Sequence, residues 1–113
     1  MDTFEVTAWD DGAVHVVRVA GEFDIAACPR FREKSASNGA ELVVVDLRRV
    51  TFLDSRALAE LISLQREATR GGKDYAILRP RGEADVIFKI TGMDGHLPLY
   101  DERVPVLAEF NFG

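Results

Sequence analysis

The residues of this chain best placed to do chemistry lie where the backbone changes state. In Val50-Thr51-Phe52-Leu53-Asp54-Ser55-Arg56-Ala57-Leu58, an apolar strand leads in and an amphipathic helix leads out. Asp and Ser both favour helix N-caps, because a side-chain oxygen accepts from the orphan N–H groups of the first turn. One reading of Asp54-Ser55 is therefore a cap. The other is a hydroxyl presented at a helix N-terminus, to be phosphorylated or read by a partner. The remaining reactive residues form no constellation. One cysteine and two distant histidines, without paired ligand spacing, argue against a metal site. No Gly-x-Ser-x-Gly elbow is present and no histidine has a claim on Ser55, so no catalytic residue is assigned and no enzyme is expected. No Gly-x-Gly-x-x-Gly or phosphate loop occurs, and no cofactor is expected. Cys28 reads as a small buried hydrophobe, and His15, inside a strand, as a surface or packed residue.

Several elements must position that junction. Phe4, Val6 and Ala8 alternate with Glu5, Thr7 and Trp9, the period of a half-buried strand. Asp10-Asp11-Gly12 is a hairpin turn signal, and Val14 to Val19 is the second strand. Gly21-Glu22-Phe23-Asp24 closes the hairpin. Pro29 suits the first turn of a helix running to about Ser37 and stopping at Asn38-Gly39. That helix is weakly patterned: Phe31 is its one large apolar residue, and Ser35 falls where a second is expected. Leu42 to Leu47 is apolar without alternation, as in a central strand covered on both faces. Asp46 is placed at its C-terminal end, where open α/β sheets build their sites, with a structural role in holding the following loop.

The helix Ser55 to Arg70 has the clearest pattern. Ala57, Leu58, Leu61, Ile62, Leu64 and Ala68 make an apolar stripe, and Arg56, Glu60, Ser63, Glu67 and Arg70 the polar one. Arg56 and Glu60 are spaced to pair at i,i+4. Gly71-Gly72 ends the helix. Tyr75 to Leu78 is a further strand, Glu83 to Thr91 a helix with Val86, Ile90 and Met93 on one side, Leu97 to Tyr100 a last short strand, and Pro105 to Phe110 a final helix. The order β-β-α-β-α-β-α-(β)-α, with crossovers after the third strand long enough for helices, predicts that those later strands are parallel, joined to an antiparallel N-terminal hairpin.

The whole chain bounds the function. Its 113 residues predict one domain over 1–113, long enough to bury roughly two-thirds of its unfolded surface. Hydrophobic residues at 47% and charged residues at 29% belong to a globular domain. A net charge of −5 argues against nucleic acid or anionic membrane as the partner. No apolar run reaches the roughly 20 residues of a spanning helix, and no secretory leader is evident. A single cysteine without staples fits the cytoplasm.

Val43-Val44-Val45-Asp46 is similar to the phospho-acceptor strand of two-component receiver domains. Those also need an acidic pair after the first strand and a late lysine. Here Asp10-Asp11 falls in a hairpin turn and no lysine follows Tyr100, which removes that reading. A broader resemblance covers nearly the whole chain. Gly21-Glu22-Phe23-Asp24, Leu42-Val43-Val44-Val45-Asp46-Leu47, Val50-Thr51-Phe52-Leu53-Asp54-Ser55 with Ala57-Leu58, and Thr91-Gly92-Met93 resemble, in order and spacing, the anti-sigma factor antagonists of the STAS domain family. The resemblance implies an α/β fold, a mixed sheet of four to five strands with an N-terminal hairpin and helices packed mainly on one face. It implies a monomer or weak dimer that binds an anti-sigma factor serine kinase and so frees a sigma factor. Phosphorylation of Ser55 by the kinase ends binding, and a serine phosphatase restores it. By the same resemblance Asp24, Asp54, Ser55, Arg56 and Glu60 form the partner surface. Arg56 and Ala57 stand where the family usually has Ser or Thr and then Gly. The alternative is a STAS docking subunit of another assembly, a stress-signalling scaffold or lipid-transport complex, without a phosphorylation cycle.

Overall fold

The computed structural model describes residues 3–37, 39–102 and 106. Strand β1 (Phe4–Asp11) turns at Gly12, whose φ of 61° is the left-handed conformation expected of a glycine in a tight hairpin, into β2 (Val14–Phe23). A 3-10 turn (Ile25–Ala27) and α1 (Cys28–Ser35) lead to β3 (Leu42–Leu53). Helix α2 (Ser55–Arg70), β4 (Asp74–Leu78), a 3-10 turn (Gly82–Asp85), α3 (Val86–Ile90) and β5 (Leu99–Tyr100) follow. The expected final helix, Pro105 to Phe110, lies outside the described residues except for Val106.

The five strands form one mixed sheet in the order β1-β2-β3-β4-β5. β1 and β2 are antiparallel, and every later neighbour is parallel. Each new strand is added on the same edge. With the right-handed hand of such crossovers, α1, α2 and α3 must all fall on one face. The packing agrees. Phe31 of α1, Ala57, Leu58 and Leu61 of α2 and Phe88 of α3 share one buried cluster with Phe4, Val17, Val19, Phe23, Val43 and Val45. The other face carries a smaller cluster of Val14, Val16, Leu42, Val44, Ala76, Leu78 and Val106. Because the strand order never reverses, the sheet has no switch point of the kind that opens a ligand crevice in doubly wound folds.

Three sequence expectations are corrected. First, the central strand does not stop at Leu47 but runs to Leu53, so Asp46 lies within it and is 3% exposed. Its pairing with β2 shifts register twice. At each bulge two consecutive side chains share a face. Leu47, Val50 and Leu53 point to the helical side and Arg48-Arg49 and Thr51-Phe52 to the other, a three-residue burial rhythm that imitates a loop in the sequence. Second, the α3 region does not bury Val86 and Ile90. They are 45% and 77% exposed, while Ala84 and Phe88 are buried, because the 3-10 turn before the helix rotates its register. Third, β2 extends through Gly21-Glu22-Phe23, where φ of 89° at Gly21 lets Thr3 O approach a position that any Cβ would occupy at 1.5 Å.

The weakly patterned first helix is held by its surroundings. Phe31 packs on Phe23 with ring centres 4.8 Å apart and planes tilted by 51°, and Phe23 in turn meets Phe4 at 5.7 Å. Ser35 is buried, and its hydroxyl donates to the Phe31 carbonyl at 2.7 Å. The buried His15 places Nε2 at 2.9 Å from the Lys34 carbonyl, one of the orphan acceptors of that helix end, and Nδ1 at 2.8 Å from Asp10. The helix ends at Ser35, two residues short of the expected Ser37.

Candidate functional site

The parallel pairing of β2 with β3 sets two chain turns side by side. Phe23 and Leu53 are register partners, and the Asp54 N–H donates to the Phe23 carbonyl at 3.3 Å. Past this point each strand leads into a helical turn with an aspartate at its head. Asp24 accepts from the Ala27 N–H at 3.3 Å and caps the 3-10 turn. Asp54, extended at φ −101° and ψ −179°, accepts from the Ala57 N–H at 2.9 Å and caps α2. The cap is thus Asp54, not Ser55. Ser55 is the first residue of α2 and is exposed, and among the described residues its hydroxyl has no hydrogen-bond partner. Arg56 is exposed beside it, and the Ala57 side chain is fully buried.

Glu60 departs from its expected partner. The sequence spacing offers it to Arg56, but its carboxylate takes Arg32 of α1 instead, with both Arg32 Nη2 and Nε as donors, the latter at 3.4 Å. Packing of α1 against α2 brings the guanidinium across. An interhelical fork with two bonds outcompetes a single flexible contact along one helix. The pair spans a groove of about 290 Å³ between the helices, lined by Phe31, Arg32, Ser35, Glu60, Leu64 and Glu67 among others.

Cys28 lies beneath this group. Its sulfur donates to the Asp24 carbonyl at 3.4 Å. Burial raises the thiol pKa, and the negative charges of Glu60 and Asp54 raise it further against Arg32 and Arg56. The thiol stays protonated and inert at neutral pH. The pairing of Phe23 with Leu53 sets Asp24 beside Asp54, and Ser55, Arg56 and Glu60 follow within the first two turns of α2. Sequence reasoning missed Arg32, which sits in a helix of weak pattern. It also missed two exposed apolar side chains flanking the aspartates, Ile25 at 58% and Phe52 at 48%. Phe52 was legible only to a reader who allowed for the second bulge.

Among the described residues no cluster of His, Cys, Asp and Glu is arranged to hold a metal ion, and no helix is long and apolar enough to cross a membrane. The arrangement offers a neutral hydroxyl on a dipole-positive helix end, next to a capping carboxylate and an exposed guanidinium. Such a surface can accept a phosphoryl group or receive a partner.

Comparisons with known proteins give the family and the fold. The family model described as Mlab, STAS domain matches residues 6–101. An anti-sigma factor antagonist from Mycobacterium paratuberculosis is 25% identical and superposes with a TM-score of 0.83 over 94% of this chain and 92% of that one. The Bacillus cell fate determinant SpoIIAA in its phosphorylated form is 18% identical, with a TM-score of 0.68 over 94% and 96%. A sulfate transporter family protein from Wolinella succinogenes is 15% identical, with a TM-score of 0.70 over 86% and 84%. The last two likenesses speak to the fold.

Proposed function

This chain belongs to the STAS domain family, and from that premise we propose that it is an anti-sigma factor antagonist switched at Ser55. In this reading the unphosphorylated protein binds an anti-sigma factor serine kinase through Asp24, Asp54, Ser55, Arg56 and Glu60, and a sigma factor is released. The kinase transfers a phosphoryl group to Ser55 and the complex parts. A serine phosphatase reverses the modification. The protein itself is a non-enzymatic regulator, and it works in the cytoplasm as a monomer or weak dimer. The observation that carries the reading is the exposed Ser55 hydroxyl at the start of a helix whose cap is already supplied by Asp54.

The physics of the switch is local. A phosphoryl group adds about −1.5 to −2 charges at neutral pH. At the first turn of α2 that charge meets the positive end of the helix dipole, worth roughly 0.3–1 kcal/mol, so the fold survives modification. Beside the Asp54 carboxylate, inside an interface shaped for a neutral hydroxyl, the same charge opposes the partner by repulsion and desolvation. No conformational change is required. We expect Ser55→Asp to stay folded and lose the kinase and Ser55→Ala to bind it constitutively. Pull-down of both variants with the cognate kinase tests this, and equal binding by the two overturns it.

Docking without a phosphorylation cycle is the second reading, and one observation favours it. Arg56 is exposed directly after Ser55, where a guanidinium can pair with a phosphate and blunt its repulsion. Phosphopeptide mass spectrometry on protein taken from its own cells separates the two. Ser55 unmodified under every growth condition supports docking alone.

A further inference from the structure

The sheet face opposite the three helices carries a second charged group that the Ser55 switch does not use. Arg18 and Asp46 are register partners on β2 and β3. Asp46 Oδ1 accepts from the Arg48 N–H at 3.1 Å and from Arg48 Nε at 3.0 Å, while Oδ2 accepts from Arg48 Nη2 at 3.0 Å and Arg18 Nε at 3.3 Å. The first bulge of β3 turns Arg49 to the same side as Arg48, and Arg81, just past β4, closes the rim. Together Arg18, Asp46, Arg48, Arg49 and Arg81 line a concavity of about 250 Å³.

Asp46 engages Arg18 and Arg48, Arg81 meets an exposed glutamate, and Arg49 is left over. Glu102, 58% exposed in its side chain, is shared by Arg48 Nη1 and Arg81 Nη2, each at 3.1 Å. Arg49 has no carboxylate partner among the described residues. Four guanidinium groups against the two carboxylates they bind give these six side chains an excess of two positive charges, on a chain whose net charge is −5. The Arg18 guanidinium carbon also lies over the Trp9 ring, 5.0 Å from its centre. Arg48 is pinned through four bonds to Asp46 and Glu102. The N–H groups that Arg18 and Arg48 do not spend on Asp46 and Glu102, with the guanidinium groups of Arg49 and Arg81 at the rim, make a donor set suited to a tetrahedral dianion. The volume falls below the roughly 300–1,000 Å³ of sites for drug-sized ligands, which limits the occupant to a small group.

We infer that this concavity binds a phosphate-class oxyanion, free or as the end of a small phosphate monoester, and that Glu102 is the internal anion it displaces. Ser55 lies on the order of 20 Å further along β3, so this inference stands or falls independently of the switch.

The test is an amide NMR titration of the full chain with inorganic phosphate and, separately, glycerol phosphate, each against sodium chloride of matched ionic strength. Saturable shifts at Arg18, Arg48, Arg49 and Arg81 are expected with the phosphates and not with chloride. Arg49→Ala and Arg81→Ala, which leave the bonds to Asp46 intact, each weaken binding by about tenfold. Glu102→Gln tightens it by freeing two arginines. Tighter binding of glycerol phosphate supports a monoester, and tighter binding of inorganic phosphate supports the free anion. Equal shifts with chloride, or binding unchanged in the Arg49→Ala, Arg81→Ala double variant, overturn the inference, as does loss of binding in Glu102→Gln.

Discussion

Asp46 shows how one residue can be read correctly for type and wrongly for place. Its carboxylate is nearly inaccessible to solvent, a position that burial alone would make unfavourable to charge. Burial pushes its pKa up, but the hydrogen bonds from the Arg48 side chain and backbone, with the charges of Arg48 and Arg18, more than reverse this and hold it below the usual carboxylate range. A carboxylate with a depressed folded value stabilises the protein above the unfolded value, about pH 4. That stability is lost as pH falls through the folded value. We expect urea midpoints to decline below about pH 4, and Asp46→Asn to flatten that decline. At neutral pH the same variant should lose about 1.5–3 kcal/mol, because hydrogen bonds to charged groups are removed. An acid profile identical to the parent's would show that this carboxylate is not the group responsible.

At the scale of the element, α2 opens on a capping aspartate followed by an exposed serine. Asp54 satisfies one of the orphan N–H groups of the first turn, and Ser55 satisfies none among the described residues. Asp54→Ala should therefore cost about 1 kcal/mol of stability. Ser55→Ala should stay within about 0.5 kcal/mol of the parent, as exposed substitutions away from such features do. Chemical denaturation of both variants checks the pair. A larger loss in Ser55→Ala would return the capping role to the serine. Helix α1 illustrates the opposite dependence. Its own pattern is poor, and its stability derives from the Phe4–Phe23–Phe31 cluster and from the His15 contact at its C-terminal end.

Across the whole molecule, the sheet is strongest at its middle. β2 and β3 are paired on both sides and covered on both faces, with Val17, Val44 and Val45 at 0% exposure. The two-residue β5 and the short α3, whose Val86 and Ile90 face solvent, sit at the other extreme. Native-state hydrogen exchange should be slowest at the amides of Val17, Val44 and Val45, and approach the global unfolding free energy there, while α3 and β5 open locally. Slower exchange in α3 than in β3 would contradict this ordering. The Ser55 neighbourhood lies between these limits. Its β3 lead-in is paired with β2 through Leu53 and its helical first turn is capped by Asp54.

Local patterns in the sequence determined most of the elements. Alternation marked β1, an unbroken apolar run marked the heart of β3, and a 3.6-residue stripe set α2 at Ser55–Arg70. Each pattern depends on neighbours a few residues away, so the chain alone suffices to reveal it. What the sequence could not carry depends on residues far apart. Pairing of β2 with β3 carries that strand on to Leu53 and so makes Asp46 internal, and the two bulges in the pairing put Arg48 and Arg49 on one face and leave Phe52 exposed. Whether Glu60 meets Arg56 or Arg32 was decided by how α1 packs on α2. Asp54 and Ser55 were both plausible caps by type. Only the backbone at the end of β3, anchored to Phe23, decided which of the two side chains turns back to the helix and which remains in solvent.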